Sequence, residues 1–102
     1  MTIGIVQTGD MNTYLAEGPF KAVLADTDEV RARLLNLDVD QGVGPCLMSD
    51  TVVYYVIEGR GHLQVEDEKA ELRTGSLVVV PAGTTRSIAA AQRMRVLALQ
   101  LL

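Results

Sequence analysis

The segment GSLVVVPAGTTRSI (residues 75–88) constrains this chain more than any other stretch. Gly75 opens a turn, and the continuous apolar run Leu77-Val78-Val79-Val80 predicts a strand buried on both faces. Pro81-Ala82-Gly83 then predicts a stiff corner, because proline fixes φ and cannot donate a ladder hydrogen bond, while glycine tolerates a reversal of the chain. Such a corner delivers Thr84, Thr85 and Arg86 to the mouth of whatever the strand encloses. A guanidinium taken out of water there needs a partner, since an uncompensated buried charge is strongly unfavourable.

The rest of the chain divides into short strand-like runs between turn signals. After Gly18-Pro19, residues 20–24 read as a strand and Asp26-Thr27-Asp28 as a polar turn. Residues 30–39 (VRARLLNLDV) begin with period-two alternation and become apolar at both parities, as in a strand that passes from an exposed edge into a packed interior. Residues 40–50 carry Gly42, Gly44 and Pro45 and read as a loop feeding Cys46-Leu47-Met48. TVVYYVI (residues 51–57) is rich in β-branched and aromatic residues, stops at a tight turn around Gly59, and returns at 62–65 as the second arm of a hairpin. In that arm Leu63 and Val65 share one face, and His62 and Gln64 the other. Asp67-Glu68-Lys69 is a charged turn, and residues 94–102 form a last strand. Upstream, Ile3-Gly4-Ile5-Val6 reads as a short strand and residues 11–17 as an irregular crossing or a helical turn. About eight or nine short strands without a helix predict an all-β sandwich, barrel or jelly roll.

Composition narrows the function classes. A chain of 102 residues makes one domain. Its longest apolar run falls far short of the ~20 residues of a membrane span, and MTIGIVQTGD has no basic region followed by an apolar core. A cytoplasmic, soluble protein is therefore expected. A net charge of −4, nine Lys plus Arg and no basic cluster argue against a nucleic-acid partner. One cysteine forbids an internal disulfide, and one histidine forbids a multi-imidazole metal site within the chain.

The blocks VVYYVIEGRGHLQV and LRTGSLVVVPAGTTRSI resemble the two signature motifs of the cupin family, written G(X)5HXH(X)3,4E(X)6G and G(X)5PXG(X)2H(X)3N. Gly59, Gly75, Pro81 and Gly83 stand at the structural positions. The resemblance implies a small double-stranded β-helix barrel of the jelly-roll type over residues 1–102, with 30–102 as the barrel core and 1–29 as N-terminal strands and crossing. It also implies that the four positions that hold a metal in typical cupins are occupied here by Cys46, Met48, Val52 and Arg86.

That donor set is poor for a hard or borderline divalent cation, and a permanent positive charge would repel one, so no cofactor and no metal ligand is assigned. His62, of opposite parity to Leu63 and Val65, reads as an exposed or edge residue. Cys46 and Met48, at i and i+2 on a strand, offer two soft donors to Cu(I), but two donors without a third are more simply core fillers. Arg86 close to Cys46 would favour the thiolate, yet no base is evident, and no catalytic residue is assigned.

Two readings of Arg86 remain. One is an ion pair with Asp38, Asp40 or Asp50 that plugs the barrel mouth. The other is a ligand, a small carboxylate or phosphate held bidentately, with Tyr54, Thr84 and Thr85 nearby. Tyr54 shares its parity with Val52 and is expected to point inward. The candidate pocket is thus Cys46, Met48, Val52, Tyr54 and Arg86. The expected function is an anion-binding or accessory module. The alternatives are an oxygenase, isomerase or lyase with an unconventional metal or none, and a purely structural or regulatory partner. Arg31, Arg33, Arg93 and Arg95 read as edge charges or a modest basic stripe. The outward face of Val53, Tyr55 and Ile57, together with the habit of small cupins, implies a homodimer.

Overall fold

Strand pairing builds the chain from two antiparallel sheets, in a computed structural model that describes residues 3–102. The strands are β1 (Phe20–Asp26), β2 (Val30–Leu37), β3 (Gly42–Met48), β4 (Thr51–Glu58), β5 (Arg60–Val65), β6 (Glu68–Arg73), β7 (Leu77–Val80), β8 (Thr84–Ala90) and β9 (Met94–Leu101). One sheet has the order β1-β2-β9-β4-β7 and the other β3-β8-β5-β6. From β2 onward the chain passes repeatedly between the two sheets, which is the connectivity of a jelly roll.

Period-two alternation decides what enters the space between the sheets. In β4, Val52, Tyr54 and Val56 point inward and are buried, while Tyr55 points out. Opposite them, Leu63, Leu72, Ile88 and Ala90 close the core from the smaller sheet. Each large aliphatic side chain buried here stabilises the fold by roughly 1.5–3 kcal/mol. On β2 the inward parity is Arg31, Arg33, Leu35 and Leu37, of which the last two belong to the core.

The outward parity of β2 is buried as well, because the N-terminal segment crosses it. Asn36 donates from Nδ2 to the carbonyls of Met11 at 2.7 Å and Thr13 at 3.0 Å. Its register partner Arg95 donates to the carbonyls of Thr8 and Met11, and Gln41 Nε2 to that of Leu15 at 2.6 Å. The Arg93 guanidinium stacks 4.4 Å from the Tyr14 ring centroid and pairs with Asp38 at 3.0 Å. The crossing itself is irregular, with one 3-10 turn at Thr8–Asp10, and residues 3–6 form no strand.

Two further expectations about strands are corrected. The segment expected to be a loop before Cys46 is itself a strand, β3, paired with β8 on both sides of a bulge between Val43 and Cys46. Gly44 and Pro45 sit at that bulge instead of ending the strand, and Gly42 pairs with Ala89 ahead of it. The run Leu77 to Val80 is buried on one face only: Val80 is fully buried, whereas Leu77 is 65% and Val79 59% exposed. A continuous apolar run signals two covered faces only where a second layer exists, and the N-terminal crossing covers the β2 end of this sheet, not the β7 end.

Candidate functional site

The corner between β7 and β8 carries the site. Gly83 turns the chain at φ +77° and donates its backbone N–H to the Met48 carbonyl at 2.8 Å, which ties the corner to β3. The Thr84 hydroxyl donates to the Pro81 carbonyl at 2.8 Å. Arg86, two residues further along β8, turns its side chain back into this corner and is 2% exposed.

Its guanidinium is held by uncharged groups. Nε donates to the Thr84 carbonyl at 3.2 Å, and Nη2 donates to the Pro81 carbonyl and the Thr84 hydroxyl, both at 3.3 Å. Nη1 donates across the interior to the Tyr54 hydroxyl at 3.4 Å. A guanidinium has five N–H groups; these bonds leave one, on Nη1, without an acceptor. The ion pair expected with Asp38, Asp40 or Asp50 is absent. Among the described residues the ion pairs are Arg31 with Asp26 and Arg93 with Asp38. Asp50 accepts from Gln100 Nε2 at 2.8 Å, and Asp40 is exposed in a turn. Carbonyls and hydroxyls accept from four of the five N–H groups of Arg86 and leave its charge unmatched.

A cavity of about 420 Å³ opens beside this guanidinium. It brings together all five residues singled out from the sequence: Cys46, Met48, Val52, Tyr54 and Arg86. Cys46 is exposed and lies directly opposite Arg86 in the register of β3 and β8. Gly44 sits at the bulge beside it at φ +88°, where a Cβ would stand 2.6 Å from the Arg86 carbonyl oxygen. Only glycine lets β3 approach β8 this closely. Thr85 does not line the cavity; its backbone N–H donates to Glu66 Oε1 at 3.0 Å. His62 lies outside it, on the far face of the smaller sheet opposite Glu71.

Three basic residues outside the expected pocket also line the cavity: Lys21, and Arg31 and Arg33, which were expected at an edge. Arg31 and Arg33 form no stripe with Arg93 and Arg95, because Arg95 faces the N-terminal crossing on the opposite side of the sheet. The signal that places them was available. They share the parity of Leu35 and Leu37, so a strand that buries those leucines turns both arginines to the same interior. Among the described residues no Asp or Glu lines the cavity, although the chain carries a net charge of −4.

Comparison with known proteins agrees with the fold. Residues 49–99, half of the chain, match the family described as Cupin domain. No curated protein matches the sequence significantly. Among solved structures, a protein from Thermus thermophilus is similar over 97% of both chains, with a TM-score of 0.89 and 22% identity. A cupin superfamily protein from Desulfitobacterium hafniense is similar over 91% of this chain and 85% of its own, with a TM-score of 0.85 and 20% identity. The salicylate 1,2-dioxygenase of Pseudoaminobacter salicylatoxidans is similar over 84% of this chain but only 27% of its own, with a TM-score of 0.77 and 19% identity. With the family match lying on β4 to β9 and the jelly roll shared with these structures, the chain belongs to the cupin family.

Proposed function

We propose that this cupin is a binding module for a small carboxylate or phosphate, not a metalloenzyme. Arg86 carries the reading: the residue is 2% exposed, and its guanidinium, with no carboxylate in ion-pair reach among the described residues and one N–H to spare, borders a cavity lined by further cations and by no acid of the described residues. An anion there gains charge-assisted hydrogen bonds in a partly desolvated site, where they are stronger than in water. The apolar wall of Leu35, Val43, Val52 and Ile88 suits an organic acid.

The donor set does not fit the metal that cupins commonly hold. The corresponding positions present a thiol, a thioether, an isopropyl group and the Arg86 guanidinium, whose charge opposes a divalent cation. Among the described residues no three His, Cys, Asp or Glu cluster as ligands.

Thermal denaturation with hexanoate and with inorganic phosphate tests the proposal. Either anion at ~100 times its dissociation constant adds about 2.7 kcal/mol of stability, and Arg86→Gln abolishes the gain. Absence of any shift up to tens of millimolar, or a shift that survives Arg86→Gln in a folded variant, overturns it.

We propose further that the chain pairs with a second copy. The outer face of the five-stranded sheet exposes Leu77, Val79, Tyr55 and Leu101, an apolar strip that a like strip covers.

A further inference from the structure

The charge around the cavity is arranged in two places. Tyr54, Ala98 and Arg33 are consecutive register partners across β4, β9 and β2, all on the inward face. Tyr54 and Arg33 therefore stand two strand spacings apart, about 9–10 Å, with only the methyl group of Ala98 between them. Arg86 is hydrogen-bonded to Tyr54 at one end of this row. At the other end stands Arg33, with Arg31 on the same strand and Lys21 on β1.

The cations at the second end are not equivalent. Arg31 is matched by Asp26. Arg33 has no carboxylate in reach among the described residues; its one side-chain hydrogen bond among them runs from Nη1 to Gln100 Oε1 at 3.5 Å, the limit of such a bond. Asp50 approaches only through Gln100, which donates to it. The row thus has an unmatched guanidinium at each end and a short apolar trough between them.

We infer that the cavity takes an acid with two anionic ends: one held by Arg86 beside Tyr54, the other by Arg33 at the mouth, with an apolar spacer lying over Ala98. The inference rests on the anion site at Arg86 and adds a second recognition point to it. A monoanion uses only the buried end, whereas a dianion of matching length spans the row and leaves neither charge stranded. Arg33 is the residue that distinguishes the two ligand classes.

Titration calorimetry at low ionic strength with hexanoate and adipate tests this, since the two acids share a chain length and differ by the terminal carboxylate. Adipate is expected to bind at least about tenfold more tightly than hexanoate, the gain of one charge-assisted contact. Arg33→Gln brings adipate down to the level of hexanoate on the same variant and costs hexanoate much less than it costs adipate, and Arg33→Lys, which keeps the charge, recovers part of the difference. Adipate no tighter than hexanoate, or a preference that survives Arg33→Gln, overturns the two-ended site while the single anion site at Arg86 stands. Failure of both acids to bind overturns both.

Discussion

Arg86 and Tyr54 join the two sheets through one polar contact, from Nη1 to the phenolic hydroxyl at 3.4 Å, within an otherwise largely apolar interior. The bond is long, and its acceptor is the group that Arg86 has in place of a carboxylate on the facing sheet. Tyr54→Phe keeps the ring packing and removes the acceptor. The expected cost is about 1 kcal/mol in urea denaturation, together with weaker hexanoate binding. An unchanged midpoint and unchanged binding would show that the contact contributes nothing.

Gly44 and Gly83 flank the site and both adopt positive φ, at +88° and +77°, but their surroundings differ. Nothing lies within 4 Å of a Cβ at Gly83, whereas a Cβ at Gly44 meets the Arg86 carbonyl. Gly83→Ala is therefore expected to cost only the conformational strain, about 1–2 kcal/mol. Gly44→Ala adds a backbone clash with Arg86, which borders the cavity, so it should cost clearly more and also disturb anion binding. Thermal melts of the two variants side by side check the order; equal losses would contradict it.

Asp38 introduces a dependence on pH. Hydrogen bonds from Arg93, and then from the Val39 backbone N–H, hold its carboxyl below the usual carboxylate range. Its contribution to stability is complete above the unfolded value, about 3.9, and is lost as pH falls through the lowered folded value. The pair is exposed, so the effect is small and sensitive to salt. Asp38→Asn should lower the urea midpoint slightly at pH 7, and the gap between variant and wild type should close in acid. A gap that widens on acidification would refute the assignment.

Cys46 gives a chemical report on the cavity. It is the chain's only cysteine, is exposed, and stands opposite Arg86 on the neighbouring strand. Saturating hexanoate should slow its alkylation by iodoacetamide several-fold, and Arg86→Gln should remove the protection. Alkylation at the same rate with and without the acid would place the anion elsewhere.

The exposed strip along β4, β7 and β9 predicts the assembly state. Sedimentation at micromolar concentration should give a dimer, and Val79→Lys, which sets a charge in the strip, should shift it to monomer. A monomer for the unaltered chain would refute the pairing.

Much of this architecture was legible from residue order. The alternation in TVVYYVI separates Val52, Tyr54 and Val56 from Tyr55, and the Gly-Pro-Gly spacing after residue 75 marks the corner that delivers Arg86. What stayed hidden depended on non-local facts. A strand bulged at Gly44 and Pro45 resembles a loop, because both residues suppress the local strand signal. The one-sided burial of β7 depends on where the N-terminal crossing lies. Two of the four partners of Arg86 are main-chain carbonyls of its own corner, which leave no trace in side-chain identity, and the other two are the hydroxyls of Thr84 and Tyr54, so residue types alone pointed to an acid where none is used. Lys21, Arg31 and Arg33 escaped notice as cavity residues because basic side chains on a strand ordinarily mark a solvated edge.

Ala98 makes capacity and polarity separate properties of this barrel. The span between Tyr54 and Arg33 is open because the side chain between them is a single methyl group, and every charge that borders the span comes from other positions. Lengthening residue 98 would shorten the molecules that fit without altering the electrical character of the opening, and exchanging Arg33 would do the reverse. Relatives that share this jelly roll but differ at these two places are thereby free to diverge in ligand size and in ligand charge independently, on an unchanged frame.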